Sequence, residues 1–218
     1  MISEEAGARR RRACGWFFGG TIVLGICWLL LAPMAAHAFW VHMTMHMGVV
    51  AVAAPMLAFG VAGGRFDPVV AMPWLGAPIV ASIVELIVVW GWHAPGPHHF
   101  ARNTVLGLVL EQGMFLVSGF WIWISAFGGP REGRRDRMGS GVIGLLLTSM
   151  HMTLLGALLA LAPRAVYHHH MSAVGMSALN DQHLGGAIML VVGGVSYLSG
   201  GLLLIAKLLR ERSREVGV

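Results

Sequence analysis

Charged residues are scarce in this chain. Asp, Glu, Lys and Arg make up 11% of its 218 residues, whereas 56% of the residues are hydrophobic. A soluble globular domain has about 25% charged residues. The deficit argues against an ordinary soluble domain. It excludes a disordered protein or a coiled coil, because both need many more charged side chains. The solvent that suits this composition is a lipid bilayer.

Cysteine is rare as well, and common catalytic motifs are missing. The two cysteines, Cys14 and Cys27, would lie roughly 20 Å apart along a helix, which is too far for a disulfide bond. The phosphate-binding P-loop and the nucleophile motif Gly-x-Ser-x-Gly are absent. No segment between the hydrophobic stretches is long enough for a soluble catalytic domain. We therefore expect that the protein is not an enzyme.

Long hydrophobic runs are the main feature that is present. Six stretches approach the roughly 20 apolar residues that a membrane-spanning helix needs. They are residues 15–33, 39–60, 74–92, 104–126, 140–162 and 186–206. Because backbone polar groups cannot be left unpaired in hydrocarbon, each stretch should be a helix. The sequence predicts an all-α, polytopic membrane bundle of six transmembrane helices in residues 15–206, between a basic N-terminal segment, 1–14, and a basic tail, 207–218.

The basic residues predict how this bundle is oriented. Thirteen of the fifteen Lys and Arg residues lie in the N-terminal segment, the second and fourth connections and the tail, and the other two are Arg102 and Arg164. The positive-inside rule then predicts a multi-pass membrane protein with both termini in the cytoplasm. This topology accounts for the formal net charge of +5, so no nucleic-acid partner is expected.

The first span has a second interpretation. Basic residues 9–12, an apolar run and the tripeptide at 36–38 also resemble a secretory signal peptide with its cleavage site. The apolar run is longer than that of most signal peptides, so we favour a retained helix. Cleavage after Ala38 would leave five spans in the same orientation.

Ionisable side chains inside the predicted spans are the strongest functional signal. His42 and His46 are four residues apart and therefore share one helix face, which is a spacing that can bind a metal ion. Other spans carry Glu85, Glu111 and His151. At 1.5 Å of rise per residue, these groups lie roughly 10 to 16 Å from the outer helix ends, so we expect them to meet in one layer.

Methionines surround these histidines and indicate which metal they would bind. The second span reads HMTMHM from His42 to Met47. Thioether and imidazole ligands together favour copper, especially Cu(I). By helical angle, Met45 lies closest to the histidine face. The predicted metal ligands are His42, His46, His151, His93 and Met45.

Further polar residues are expected around this site. We predict that Glu85 and Glu111 orient the histidines and balance charge. His93 is expected at the mouth of the site, and Asp181 and His183 at its entrance, although Asp181 could instead cap the last helix. We interpret the pair His98-His99 and the run His168-His169-His170 as parts of histidine-rich outer loops.

Four segments together resemble the CtaG family of bacterial cytochrome c oxidase assembly factors, which are polytopic membrane proteins associated with caa-type oxidases. They are His42–Met47 (HMTMHM), Trp92–Pro95 (WHAP), Met150–Ala157 (MHMTLLGA) and Asp181–Gly186 (DQHLGG). The last segment has Asp-Gln-His where the family pattern has Asp-Gln-Gln. The resemblance extends over about residues 38–206. It implies a role in oxidase maturation through copper delivery or handling, with oxidase subunits or other assembly factors as partners.

Three alternatives remain open at this point. A haem b electron carrier could use His42 or His46 opposite His151 as axial ligands. A di-iron enzyme could use Glu85 and Glu111, although the Glu-x-x-His pairs typical of helical di-iron sites are missing. The third alternative is a structural subunit of an oxidase complex that binds no metal.

Overall fold

The computed structural model describes residues 2–35, 37–167 and 175–216, and every regular element in these ranges is a helix. This confirms the predicted all-α class. The first two long helices are α1, which comprises Ile2–Gly25, Ile26–Leu31 and Ala32–Ala35, and α2, which comprises Phe39–Met47, Gly48–Ala53 and Ala54–Val61. Then follow α3 (Pro78–His93), α4 (Pro95–Asn103), α5 (Val105–Phe127), α6 (Arg134–Ala160) and α7, which comprises Ala178–Ile188, Met189–Gly193 and Gly194–Val216.

Five of these helices, α1, α2, α5, α6 and α7, are long and apolar enough to cross a membrane. The third predicted span, residues 74–92, is not one straight helix of sufficient length. Its 16-residue helix α3 is only about 24 Å long, which is less than the roughly 30 Å of a bilayer core. It is followed by α4 at a bend of 73°, and the pair counts as a sixth span only if it is taken as one broken helix. Pro95 and Pro97 account for the break, because proline cannot continue a helix across this point.

The bundle has two ends of different chemistry. At the basic end, Arg9 donates a hydrogen bond to the carbonyl of Gly63, and the connection after α5 approaches the one after α2. At the opposite end, which we call the histidine end, Arg102 contacts the carbonyl of Ala38. The helices therefore alternate in direction, as the sequence predicts. Which end faces the cytoplasm remains a prediction from the distribution of charges.

Helix α2 contains a distortion that the neighbouring helix α7 stabilises. Pro55 has no N–H group, so the carbonyl of Ala51 loses its usual helical donor. The preceding residues, Gly48–Ala53, form a π-helical segment. The Ser196 hydroxyl of α7 donates to the carbonyl of Ala51 at 2.7 Å, and the Tyr197 hydroxyl lies 3.2 Å from the carbonyl of Val50. Ser196 of α7 therefore pairs a backbone carbonyl that the distortion leaves free in the membrane interior, whereas the single hydroxyl proton of Tyr197 goes to Glu85.

Asp181 connects α7 to the start of α2. Its carboxylate accepts the backbone N–H groups of Phe39 and Trp40, each at 2.9 Å. These are the first residues of α2, where N–H groups lack helical partners and the helix dipole favours a negative charge. Asp181 therefore caps a different helix from its own. The hydroxyl of Ser177 caps α7 instead, by accepting the N–H of Asn180.

The next two residues also make structural contacts at the histidine end. Gln182 accepts the N–H of Val166 at 2.7 Å and donates to the carbonyl of Leu159. His183 donates from Nε2 to the carbonyl of Ala162 at 2.9 Å. The run 181–183 thus joins the end of α6 and the start of α2 to α7. His183, predicted at a metal entrance, has one ring nitrogen engaged in this structural contact.

We expect Asp181→Ala to destabilise the protein by about 1–2 kcal/mol, because it removes the cap from α2. Thermal unfolding of the detergent-purified protein measures the change. Asp136→Ala is the matched control, since Asp136 is an exposed aspartate in the first turn of α6. Equal unfolding temperatures for the two variants would contradict the capping role.

Candidate metal centre

Three buried side chains converge near the histidine end. His42 and His46, on one face of α2, point at Glu111 of α5, and one nitrogen or oxygen atom from each lies within 4.8 Å of the other two. Glu111 Oε1 is 3.3 Å from His42 Nε2 and 3.5 Å from His46 Nε2. All three residues are at most 1% exposed. The i and i+4 spacing brings the two imidazole rings to 4.1 Å between centroids.

The converging atoms have the geometry of a ligand set. Within the described part of the chain, neither Nε2 atom nor Glu111 Oε1 has a hydrogen-bond partner, which is costly for buried polar atoms. A metal ion at typical N and O distances of about 2.1 Å would see these ligand pairs at roughly 105° and 115°. Those angles are close to tetrahedral. Each histidine nitrogen is therefore at a suitable separation from Glu111 Oε1 for the pair to share one metal ion.

Gln112 extends this group, although it was not predicted from the sequence. Its amide nitrogen lies 2.8 Å from His46 Nδ1 and 3.3 Å from Glu111 Oε2, while its oxygen accepts the indole N–H of Trp28. A metal on Nε2 of His46 requires the ring proton on Nδ1. Turning the amide over so that its oxygen accepts that proton would remove its bonds to Glu111 and Trp28. In the orientation seen, Gln112 donates to Nδ1 and therefore favours the tautomer with the proton on Nε2, facing Glu111. The sequence does contain a signal for Gln112, because a polar amide within an apolar span indicates a functional position.

Two more histidines lie beside the centre because of the bend between α3 and α4. The ring of His93 is 5.8 Å from that of His46, and the ring of His98 is 5.3 Å from that of His42. Both side chains are buried. Proximity was expected for His93, but His98 was interpreted as part of a loop. The 73° turn directs α4 across the end of the bundle and brings His98 inwards.

Tyr167 covers this pair of histidines. Its ring lies 4.1 Å from that of His98, and its hydroxyl donates to the backbone carbonyl of His93 at 2.7 Å. Burial, followed by the nearby charge of Glu111, raises the pKa of Tyr167 above its usual value. The phenol therefore remains a neutral donor at physiological pH. The run His168-His169-His170, which follows it directly, lies outside the described residues.

Glu85 and His151 are buried but do not belong to this group. Glu85 of α3 accepts a short hydrogen bond from the Tyr197 hydroxyl of α7. One turn earlier on α3, Ser82 bonds the hydroxyl of Thr148 on α6 at 2.9 Å. His151 lies one turn beyond Thr148, and neither of its ring nitrogens has a hydrogen-bond partner among the described residues. These groups therefore belong to the contact among α3, α6 and α7 and not to the centre between α2 and α5.

The methionine that contacts a histidine differs from the one that helical angle favoured. Met43 Sδ lies 3.5 Å from Nε2 of His93. Met45 is fully buried in the core of the bundle. Helical angle compares Met43 and Met45 only with the histidines of α2, their own helix. The ring that contacts Met43 belongs to His93 of α3.

Comparison with known protein families agrees with the segments identified in the sequence. A family model described as cytochrome c oxidase caa3 assembly factor (CtaG) matches residues 3–211. The chain belongs to this family. The match includes α1, which lay outside the resemblance seen in the sequence. No curated protein and no solved structure matches the chain.

The four CtaG-like segments have two kinds of position in the structure. His42–Met47 and Trp92–Pro95 contribute the histidines and the methionine around the centre. The other two segments form a close contact between α6 and α7, where a Cβ atom on Gly156 would lie 2.9 Å from the carbonyl oxygen of Gly186. Glycine is required here because the backbones approach too closely for a side chain. The CtaG pattern therefore combines candidate ligands with helix packing.

We predict that His46→Gln lowers the affinity for Zn²⁺ by more than about tenfold, since even the outer partners of metal ligands contribute about 10- to 100-fold. Zn²⁺ suits the test because it is redox-inert and prefers tetrahedral sites. Calorimetric titration of the detergent-purified protein measures the affinity. His151→Gln is the matched control, because His151 is a similarly buried histidine outside the group. An equal loss in both variants, or a loss in neither, would contradict this assignment.

Proposed function

We propose that this CtaG-family protein binds a copper ion at His42, His46 and Glu111 and passes it on during assembly of a cytochrome c oxidase. The observation that carries the proposal is the convergence of three buried donor atoms that lack hydrogen-bond partners in the described chain. Family membership supplies the link to oxidase assembly. The identity of the metal and its transfer during oxidase assembly are what we propose.

Copper is the metal that these surroundings favour. For nitrogen and oxygen ligands, Cu²⁺ binds more strongly than other divalent ions of the first transition row. The buried sulfur of Met43 lies on the same helix as His42 and His46, and thioethers favour Cu(I) over harder ions. A site with these neighbours can hold copper in either oxidation state.

The number of ligands suits transfer better than permanent storage. Structural metal sites usually have four protein ligands, whereas sites that exchange a ligand keep one position open. His42, His46 and Glu111 provide three. An incoming donor can occupy the open position and remove the ion by ligand exchange. This role needs no bond-making reaction, so the proposal is for a metal carrier and not an enzyme.

The proposed setting is the bacterial inner membrane, with the histidine end facing the periplasm. The distribution of basic residues supports this orientation. Copper would enter and leave through the periplasmic end, and oxidase subunits or other assembly factors would be the partners. The lipid bilayer surrounds the remaining surface of the bundle.

The geometry favours this proposal over haem or di-iron. His42 and His46 both face Glu111, and their rings are only 4.1 Å apart, so a haem cannot lie between them. His151, the other axial ligand considered, is outside the group. A di-iron site needs carboxylates that bridge two ions, yet Glu85 bonds Tyr197 in a separate cluster from Glu111.

Glu111→Gln is expected to reduce both retained copper and mature oxidase by at least about tenfold, because it removes an anionic ligand while preserving side-chain size. Copper is measured by elemental mass spectrometry of the purified protein, and oxidase by its visible spectrum in membranes of a host that lacks its own assembly factor. Glu85→Gln is the control, since it changes another fully buried glutamate. It should retain copper and support oxidase assembly.

The triple variant His42→Ala, His46→Ala, Glu111→Gln separates a metal carrier from a structural subunit. If oxidase matures fully with all three ligands replaced, the metal-binding role fails and a metal-free structural role is supported. If stoichiometric iron replaces copper in the purified wild-type protein, the choice of metal is wrong.

A further inference from the structure

Met43 and His93 form a second contact whose chemistry is unusual for a protein interior. His93 Nδ1 lies 2.7 Å from the carbonyl oxygen of Val89, so this nitrogen carries the proton of the neutral ring. Nε2 then presents a lone pair, and it faces the sulfur of Met43 at 3.5 Å. A thioether has no proton to donate. Two lone-pair donors therefore face each other inside the bundle, where Met43 is fully buried and His93 is 7% exposed.

A bound cation would make this contact favourable. With metal–nitrogen and metal–sulfur distances of about 2.0 and 2.3 Å, donor atoms 3.5 Å apart subtend an angle of roughly 109° at the ion. The donor atoms are thus already at the separation of two neighbouring tetrahedral ligands. Both ligands are uncharged, so a monovalent ion leaves less net charge to bury than a divalent one. An imidazole with a thioether is a donor set that favours Cu(I).

We propose that Met43 and His93 form a second site, selective for Cu(I), beside the centre made by His42, His46 and Glu111. The ring of His93 is 5.8 Å from that of His46, so a small movement of either side chain brings an imidazole from each site to one ion. The role of this second site as a relay rests on the proposed function. Cu(I) moves from one ligand set to the other by ligand exchange, with no change of oxidation state. The neutral site accepts Cu(I), and the site with the carboxylate holds it more firmly.

X-ray absorption at the copper edge tests the site directly. Detergent-purified protein is loaded with one equivalent of Cu(I) under anaerobic, reducing conditions. The Glu111→Gln background is used so that the neighbouring centre is weakened. We expect a sulfur ligand at about 2.3 Å from copper. Met43→Leu, which nearly preserves the side-chain volume, should remove this sulfur signal and weaken Cu(I) binding at least about tenfold in competition with a chromogenic Cu(I) chelator.

Met45→Leu is the matched control, because Met45 is equally buried and lies two residues further along α2. It should retain the sulfur signal. His93→Gln provides a second variant if Met43→Leu does not fold, and it should also lose the signal, because it removes the nitrogen ligand and leaves Met43 unchanged. Retention of the sulfur signal in Met43→Leu, or its absence when Met43 and His93 are intact, overturns the proposal. A protonated His93 that simply donates to the sulfur predicts that absence.

The two proposals fail in different ways. If the Met43-dependent sulfur signal is present but Glu111→Gln leaves copper retention and oxidase assembly unchanged, the second site stands and the proposed carrier centre does not. If Glu111→Gln abolishes both while no sulfur ligand is found, the carrier centre stands and the second site does not.

Discussion

The buried carboxylate of Glu111 is the constraint on which the rest of this structure depends. An ionisable group inside a membrane-spanning helix is costly unless partners compensate for it. One carboxylate oxygen faces two imidazole nitrogens, from His42 and His46, and the other faces the amide of Gln112. The amide satisfies one oxygen, but the three atoms at the centre still lack hydrogen bonds in the described chain. The free-energy cost of leaving these buried polar atoms unpaired is therefore concentrated at one point, where a single cation would offset it.

This centre is maintained by a helix that supplies none of its ligands. To present His42 and His46 to Glu111, α2 must be fixed along its axis and around it. Asp181 of α7 fixes its start by capping the first N–H groups, and Ser196 of α7 pairs the carbonyl freed by the proline distortion just beyond the histidines. The close approach of α7 to α6 then anchors α7 itself. This dependence gives a physical reason for a CtaG pattern that includes packing residues as well as candidate ligands.

The sequence predicted which ionisable residues are buried in the bundle better than it predicted rotation about the helix axes. Run lengths and charge scarcity were sufficient for the all-α fold and most spans, and the i, i+4 spacing was sufficient to pair His42 with His46. Which way a side chain faces depends on packing between helices, which no single helix encodes. His151 is therefore buried but lies outside the centre, and His98 reaches the neighbourhood of the centre through a bend that the prolines explain only in retrospect.

The number of ligands around the ion distinguishes a metal carrier from a storage site. A storage site surrounds its ion with ligands and excludes exchange. Here α2 and α5 provide three converging donors, and α3 provides a further imidazole that faces a sulfur of α2. An ion shared between such incomplete sets always has a protein ligand within reach, so it can move stepwise without being released into the hydrocarbon. His93 ends α3 at the bend into α4, so it belongs to the histidine end of the bundle, where Tyr167 covers it.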